Sequence, residues 1–92
     1  MAADGDADAI RLPPGARMVL MAPDVVTRSL AARETDPERR WLLEQPRAVR
    51  RSFVEHVIDT GGSRRAQERW LLLADEPVRR SFVEQVLDAP GR

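Results

Sequence analysis

The stretch RWLLEQPRAVRRSFVEHVID at residues 40–59 comes back 29 residues later, without a gap, as RWLLLADEPVRRSFVEQVLD at residues 69–88. Thirteen of the 20 aligned positions are identical, and pairs such as Ile58 with Leu87 are close substitutes. A fainter copy, RMVLMAPDVVTRSLAARETD at residues 17–36, matches the middle one at Arg17, Leu20, Pro23, Val26, Arg28, Ser29 and Asp36. A period of this length fits helical-hairpin repeats, in which one unit cannot bury its apolar face alone. The pattern is not that of tetratricopeptide repeats, because Leu-Leu follows each Trp where that motif spaces Leu-Gly and Tyr.

Within the middle copy Val49, Phe53, Val54, Val57 and Ile58 recur at helical spacing, and Val78, Phe82, Val83, Val86 and Leu87 repeat them in the last. Asp36-Pro37-Glu38 opens the preceding Trp-Leu-Leu segment as an N-cap, a proline in the first turn and an acid at the positive helix end. Ser63 can cap the matching segment. Pro46 and Asp75-Glu76-Pro77 break and restart the chain, and Gly61-Gly62 and Pro90-Gly91 stop it. Each unit therefore reads as a short helix, a tight turn and a longer helix. The expected fold is all-α: tandem short helical hairpins, two clear and one degenerate, packed as a small bundle or mini-solenoid. Residues 1–10 are expected to form a flexible acidic tail, and residues 11–92 a single helical repeat domain with units at 17–36, 40–59 and 69–88.

A helical wheel gives the second helix of each unit an apolar arc of roughly 180°, wider than one neighbouring helix covers. Burial from two directions is required, one side by its own hairpin and the other by a neighbouring unit or another chain. Arg50 and Arg79 fall in the middle of that arc, where Thr27 stands in the first copy. There an arginine either reaches the carbonyls of the preceding helix or contacts a partner. Arg51 and Arg80 sit at its edge, with Glu55 and Glu84 four residues on as ion-pair partners. Trp41 and Trp70 are the largest apolar groups and, with Phe53 and Phe82, anchor either a core or an interface. Ser29, Ser52 and Ser81 recur without a base nearby, as small residues that let helices approach.

Chemistry has few parts in this chain. Among its 92 residues there is no cysteine or tyrosine and one histidine, His56, which Gln85 replaces in the matching position. No glycine-rich phosphate loop and no carboxylate pair stand out, so no catalytic, cofactor or metal site is expected and the chain reads as a non-enzyme. Fifteen arginines balance 15 acids. Asp4, Asp6 and Asp8 precede any positive side chain, so residues 11–92 hold 15 positive and 12 negative groups, net +3. That is weakly basic for a nucleic-acid binder, whose affinity comes from neutralising phosphates. The longest apolar run, Met18 to Ala22, is too short for a membrane span, and the acidic N-terminal stretch lacks a signal-peptide pattern. These features favour a cytoplasmic protein–protein interaction module, a small scaffold, adaptor or accessory subunit, bound to a protein partner or to copies of itself. Its expected contact residues are Trp41, Arg50, Arg51, Phe53, Trp70, Arg79, Arg80 and Phe82. The competing reading is a small DNA-binding regulator or antitoxin that uses the Arg-rich helix start at Arg47, Arg50 and Arg51.

Overall fold

A computed structural model describes Ile10 and residues 15–88 and shows an all-helical chain, with no β-strand among the described residues. The acidic tail expected over residues 1–10, apart from Ile10, and the Pro90-Gly91 stop lie outside the described residues. Among the described residues six α-helices follow one another: α1 (Ala16–Leu20), α2 (Asp24–Ala31), α3 (Pro37–Glu44), α4 (Arg47–His56), α5 (Arg64–Leu73) and α6 (Glu76–Phe82). A 3₁₀ turn, Ile58–Thr60, follows α4, and a π-helical turn, Val83–Leu87, prolongs α6.

The local signals act where the residues place them. Asp36 accepts the Arg39 backbone N–H at 2.9 Å at the start of α3, and Ser63 accepts that of Ala66 at 3.0 Å at the start of α5. Pro23 and Pro46 occupy the residue before α2 and α4 in extended backbone, which turns the chain without using an N–H. After α4 the Gly62 N–H bonds the Val57 carbonyl at 2.8 Å and the Gly61 N–H bonds that of Ile58 at 3.2 Å. This is a Schellman closure, and the φ of +114° at Gly61 is one that side chains with a Cβ avoid.

With each hairpin denoting no more than two consecutive helices, α1–α2, α3–α4 and α5–α6, α1 lies against α4, and α2 against α3. In the other direction α4 meets α5, and α3 meets the π turn. One core joins all three hairpins, from Leu20 and Ala31 through Trp41, Leu43, Phe53 and Val54 to Trp70, Phe82 and Val86. The wide apolar arc at α4 is covered from two sides, by α1 and by α5, where the periodicity assigns one side to its own hairpin; Phe53, Val54 and, just past the helix, Val57 are buried, and Val49 and Ile58 half-buried.

The junction between the first and middle hairpins is polar. Glu34 Oε2 accepts the Asp36 backbone N–H at 3.0 Å and Arg39 Nη2 at 3.1 Å. The Asp36 amide, seconded by Arg39, holds the Glu34 carboxyl below its usual range against a partial opposing effect of burial. At the other side of the hairpin Arg17 pairs with Asp59 at 2.9 Å and likewise lowers that carboxyl. A carboxyl whose folded pKa is depressed stabilises the fold above its unfolded pKa and loses that contribution as pH falls through the folded value. Stability is therefore expected to decline as pH drops below about 4.5. In denaturant titrations Glu34→Gln should flatten this acid limb. High salt should remove mainly the part due to the exposed Arg17–Asp59 pair. An acid limb identical in Glu34→Gln would take Glu34 out of the account.

Candidate functional site

The four aromatic side chains expected as anchors meet one another in the core. Trp41 lies edge-to-face with Phe82 at 5.1 Å between centroids, and Trp70 with Phe53 at 5.2 Å. The two indoles meet at 6.3 Å and 73°. The polar handles follow the same exchange: Trp41 Nε1 donates to Ser81 Oγ at 3.0 Å, and Trp70 Nε1 donates to Ser52 Oγ at 3.0 Å. Each tryptophan thus uses the phenylalanine and the serine of the other 29-residue copy. Glu38 and Gln67, also 29 apart, meet directly, with Gln67 Nε2 donating to Glu38 Oε1 at 2.6 Å.

This assigns the recurring serines a task their spacing does not reveal. The wheel puts Ser52 on the polar side, yet Ser52 and Ser81 are half-buried acceptors for indole N–H groups. Ser52→Ala or Ser81→Ala leaves a buried donor unpaired and is expected to cost about 1–2 kcal/mol each. Urea unfolding followed by tryptophan fluorescence reads the loss; two silent variants would reduce the serines to spacers.

Arg50 is fully buried, and its guanidinium is shared among three chain segments. Nε donates to the Gln45 carbonyl at 2.9 Å, at the end of α3. Nη1 donates to the Leu20 and Ala22 carbonyls at 2.6 and 2.7 Å, at and just past the end of α1, and Nη2 pairs with Asp24. Helix C-termini leave carbonyls without intrahelical partners and carry a partial negative charge, so one planar cation here serves two helix ends. Arg79, in the same place in the last copy, donates to the Ala74 carbonyl at 2.6 Å and reaches that of Leu72 at 3.5 Å. Among the described residues no carboxylate lies within ion-pair distance of it.

Arg51 and Arg80 face solvent. Arg51 pairs with Glu55 at 3.5 Å, as its spacing suggests. Arg80 departs from the expectation: it pairs with Glu76 at 3.5 Å rather than with Glu84. An acid four residues N-terminal to a cation is the more favourable helical order, which explains the choice. Of the arginines at the start of α4, Arg50 is turned inward, while Arg47 and Arg51 are exposed. His56 is exposed, with Nδ1 3.0 Å from the Ser52 carbonyl of its own helix.

Among the described residues, no three His, Cys, Asp or Glu side chains come together as a metal centre would need. A small cavity of about 80 Å³ lies beside the aromatic cluster, lined by Ile10, Trp41, Phe53, Trp70 and Phe82, with Glu38, Arg39 and Arg64 among its polar lining residues. It is far smaller than the several hundred Å³ of ordinary ligand pockets. A shallower groove between α4 and the α5–α6 turn is lined by Val49, Ser52, Leu73 and Val78.

Of the expected contact residues, then, Trp41, Arg50, Phe53, Trp70 and Phe82 are buried and Arg79 is half-buried, which leaves Arg51 and Arg80 open. The large apolar side chains that do face solvent include two, Val83 and Leu87, that the periodicity places in the apolar arc, a correction that follows from nothing among the described residues being packed over that side of the last copy. In the first hairpin they are Met18, Val25, Val26 and Leu30. In the last they are Leu72, Leu73, Val83 and Leu87; none lies in the middle hairpin. No helix among the described residues is long and apolar enough to cross a membrane. No protein-family model, curated protein or solved structure matches the chain.

Proposed function

We propose that the chain is a non-catalytic protein–protein interaction module, a small cytoplasmic scaffold, adaptor or accessory subunit built from tandem helical hairpins. The observation that carries this reading is the confinement of exposed aliphatic side chains to the first and last hairpins, next to a middle hairpin that has none. Apolar side chains gathered on a surface mark a place where another surface is buried. Repeat stacks in particular require polar outer faces on their terminal units when nothing further docks there.

The architecture is proposed on the same footing. The middle and last hairpins are two copies of one 29-residue unit, paired about an approximate twofold axis. In a twofold pair, residue i of one unit meets j of the other while j meets i. The crossed Trp41–Ser81 and Trp70–Ser52 bonds and the direct Glu38–Gln67 contact have that form. The first hairpin is a shortened third copy.

Affinity capture with the tagged full chain, at low and high salt, with protein and nucleic acid both quantified, tests the reading. The expected result is a stoichiometric protein, a different chain or another copy of this one, that survives high salt and is lost with Leu72→Glu plus Leu73→Glu. Nucleic acid that leaves as salt rises would replace this reading with the DNA-binding one. A bait recovered alone and monomeric would overturn both.

A further inference from the structure

The middle and last hairpins carry the same apolar residues at matching positions of their two helices, and only one of the two sets is covered. Under α1–α2, Leu43 is 8% exposed and Val54 1% exposed. Their equivalents in the last hairpin, Leu72 and Val83, are 75% and 42% exposed. The arginines repeat the contrast: Arg50 is closed in by the first hairpin's carbonyls and Asp24, while Arg79 has only the carbonyls at the end of α5. The last hairpin therefore presents the kind of surface that a helical hairpin covers elsewhere in the same molecule.

The chain also has a second bare surface, on the outer side of that first hairpin, where Val26 and Leu30 lie one helical turn apart. The charges around the two differ in sign. Residues 15–35 hold Arg17, Arg28 and Arg33 against Asp24 and Glu34, net +1, and both acids are already in ion pairs. Residues 72–88 hold Arg79 and Arg80 against Asp75, Glu76, Glu84 and Asp88, net −2. Arg28 and Arg33 at one surface, and Asp75, Glu84 and Asp88 at the other, have no ion-pair partner among the described residues.

We infer that these two surfaces bind each other between copies: the outer side of the first hairpin of one chain docks on the bare face of the last hairpin of the next, at Leu72 and Val83. The inference rests on the interaction-module reading and names its partner as a second copy of this chain. Because the two patches differ, the contact is head-to-tail, and association continues past a dimer unless the geometry closes a ring. Opposite charge sets the order of the patches, and the aliphatic side chains provide most of the contact.

Sedimentation velocity on the full chain, up to about 1 mM, tests this against the weak end of specific association. Val25→Asp with Val26→Asp spoils one surface, and Leu72→Glu with Val83→Glu spoils the other. All four positions are exposed, so far-ultraviolet circular dichroism should show both variants folded. The wild type should grow beyond a dimer with concentration, and each variant alone should stay monomeric. An equimolar mixture, which keeps one good surface of each kind, should stop at a dimer. Three results overturn the inference: a monomeric wild type, a Val25/Val26 variant that still dimerises through the bare faces of its last hairpins, or a mixture that stays monomeric. A monomer that nonetheless captures a different protein would sink the inference alone and leave the broader reading intact.

Discussion

Arg50→Ala is expected to cost the fold about 3–5 kcal/mol, mainly because several carbonyl acceptors lose their donor, at about 1–3 kcal/mol for each one that is buried. Taking the guanidinium away leaves the buried Leu20 carbonyl, the part-buried Ala22 and Gln45 carbonyls and the partly exposed Asp24 carboxylate without their donor. It also cuts the tie between the first hairpin and α4. The same change at Arg79, which is half-buried and caps one helix end, should cost about 1 kcal/mol or less. From the sequence alone the two arginines should behave alike, and their double alanine variant should lose association while keeping its helices. The structure separates them, since only Arg50 is enclosed. Guanidinium or urea unfolding of the two single variants, compared on midpoint and slope, reads the difference directly. Equal losses would mean that the α1–α2 cover over Arg50 contributes nothing in solution.

The double variant Phe53→Ala, Phe82→Ala should not fold. Truncating a buried phenylalanine costs about 3–5 kcal/mol, from lost transfer energy and from the cavity left behind. The two losses together reach the whole stability of a small domain, about 5–15 kcal/mol. Each ring also forfeits an edge-to-face contact with a tryptophan of the other copy, worth about 0.5–1.5 kcal/mol. The single variants are the more informative pair. Phe53 opposes Trp70 and Phe82 opposes Trp41, so each substitution should change the emission of one indole more than the other. That can be resolved by making each in a Trp41→Phe or Trp70→Phe background. A double variant with native circular dichroism and an unchanged urea midpoint would remove the aromatic cluster from the core.

Most of the local structure is legible in the residues. The caps at Asp36 and Ser63, the breaks at Pro46 and Pro77 and the stop at Gly61-Gly62 each act within a turn of the chain, and each appears in the structure. The helical spacing of Val49, Phe53, Val54 and Val57 picks out the buried side of α4 and puts Arg50 in its middle. The surface was not legible in the same way. Leu72, Leu73, Val83 and Leu87 look like core residues on a wheel, because a wheel records which side is apolar and not whether anything lies against it. Ser52 likewise sits on the polar side of its own helix, and its acceptor role depends on an indole 18 residues away in sequence.

The segment Val-Arg-Arg-Ser-Phe-Val-Glu occurs twice, at residues 49–55 and 78–84, and marks the division between the two sources of information. By itself it determines a helix, an apolar side and an arginine set into that side, because these depend on backbone preference and on neighbours within one turn. It does not determine what surrounds that side. At residues 49–55 the first hairpin closes over Arg50 and Val54, and the helix ends in a 3₁₀ turn and a glycine closure. At residues 78–84 the same seven residues run into a π turn, with Val83 open to solvent and Arg79 half-covered. The difference comes from chain segments more than 20 residues away, α1 and α2, which can bury only one of two identical faces.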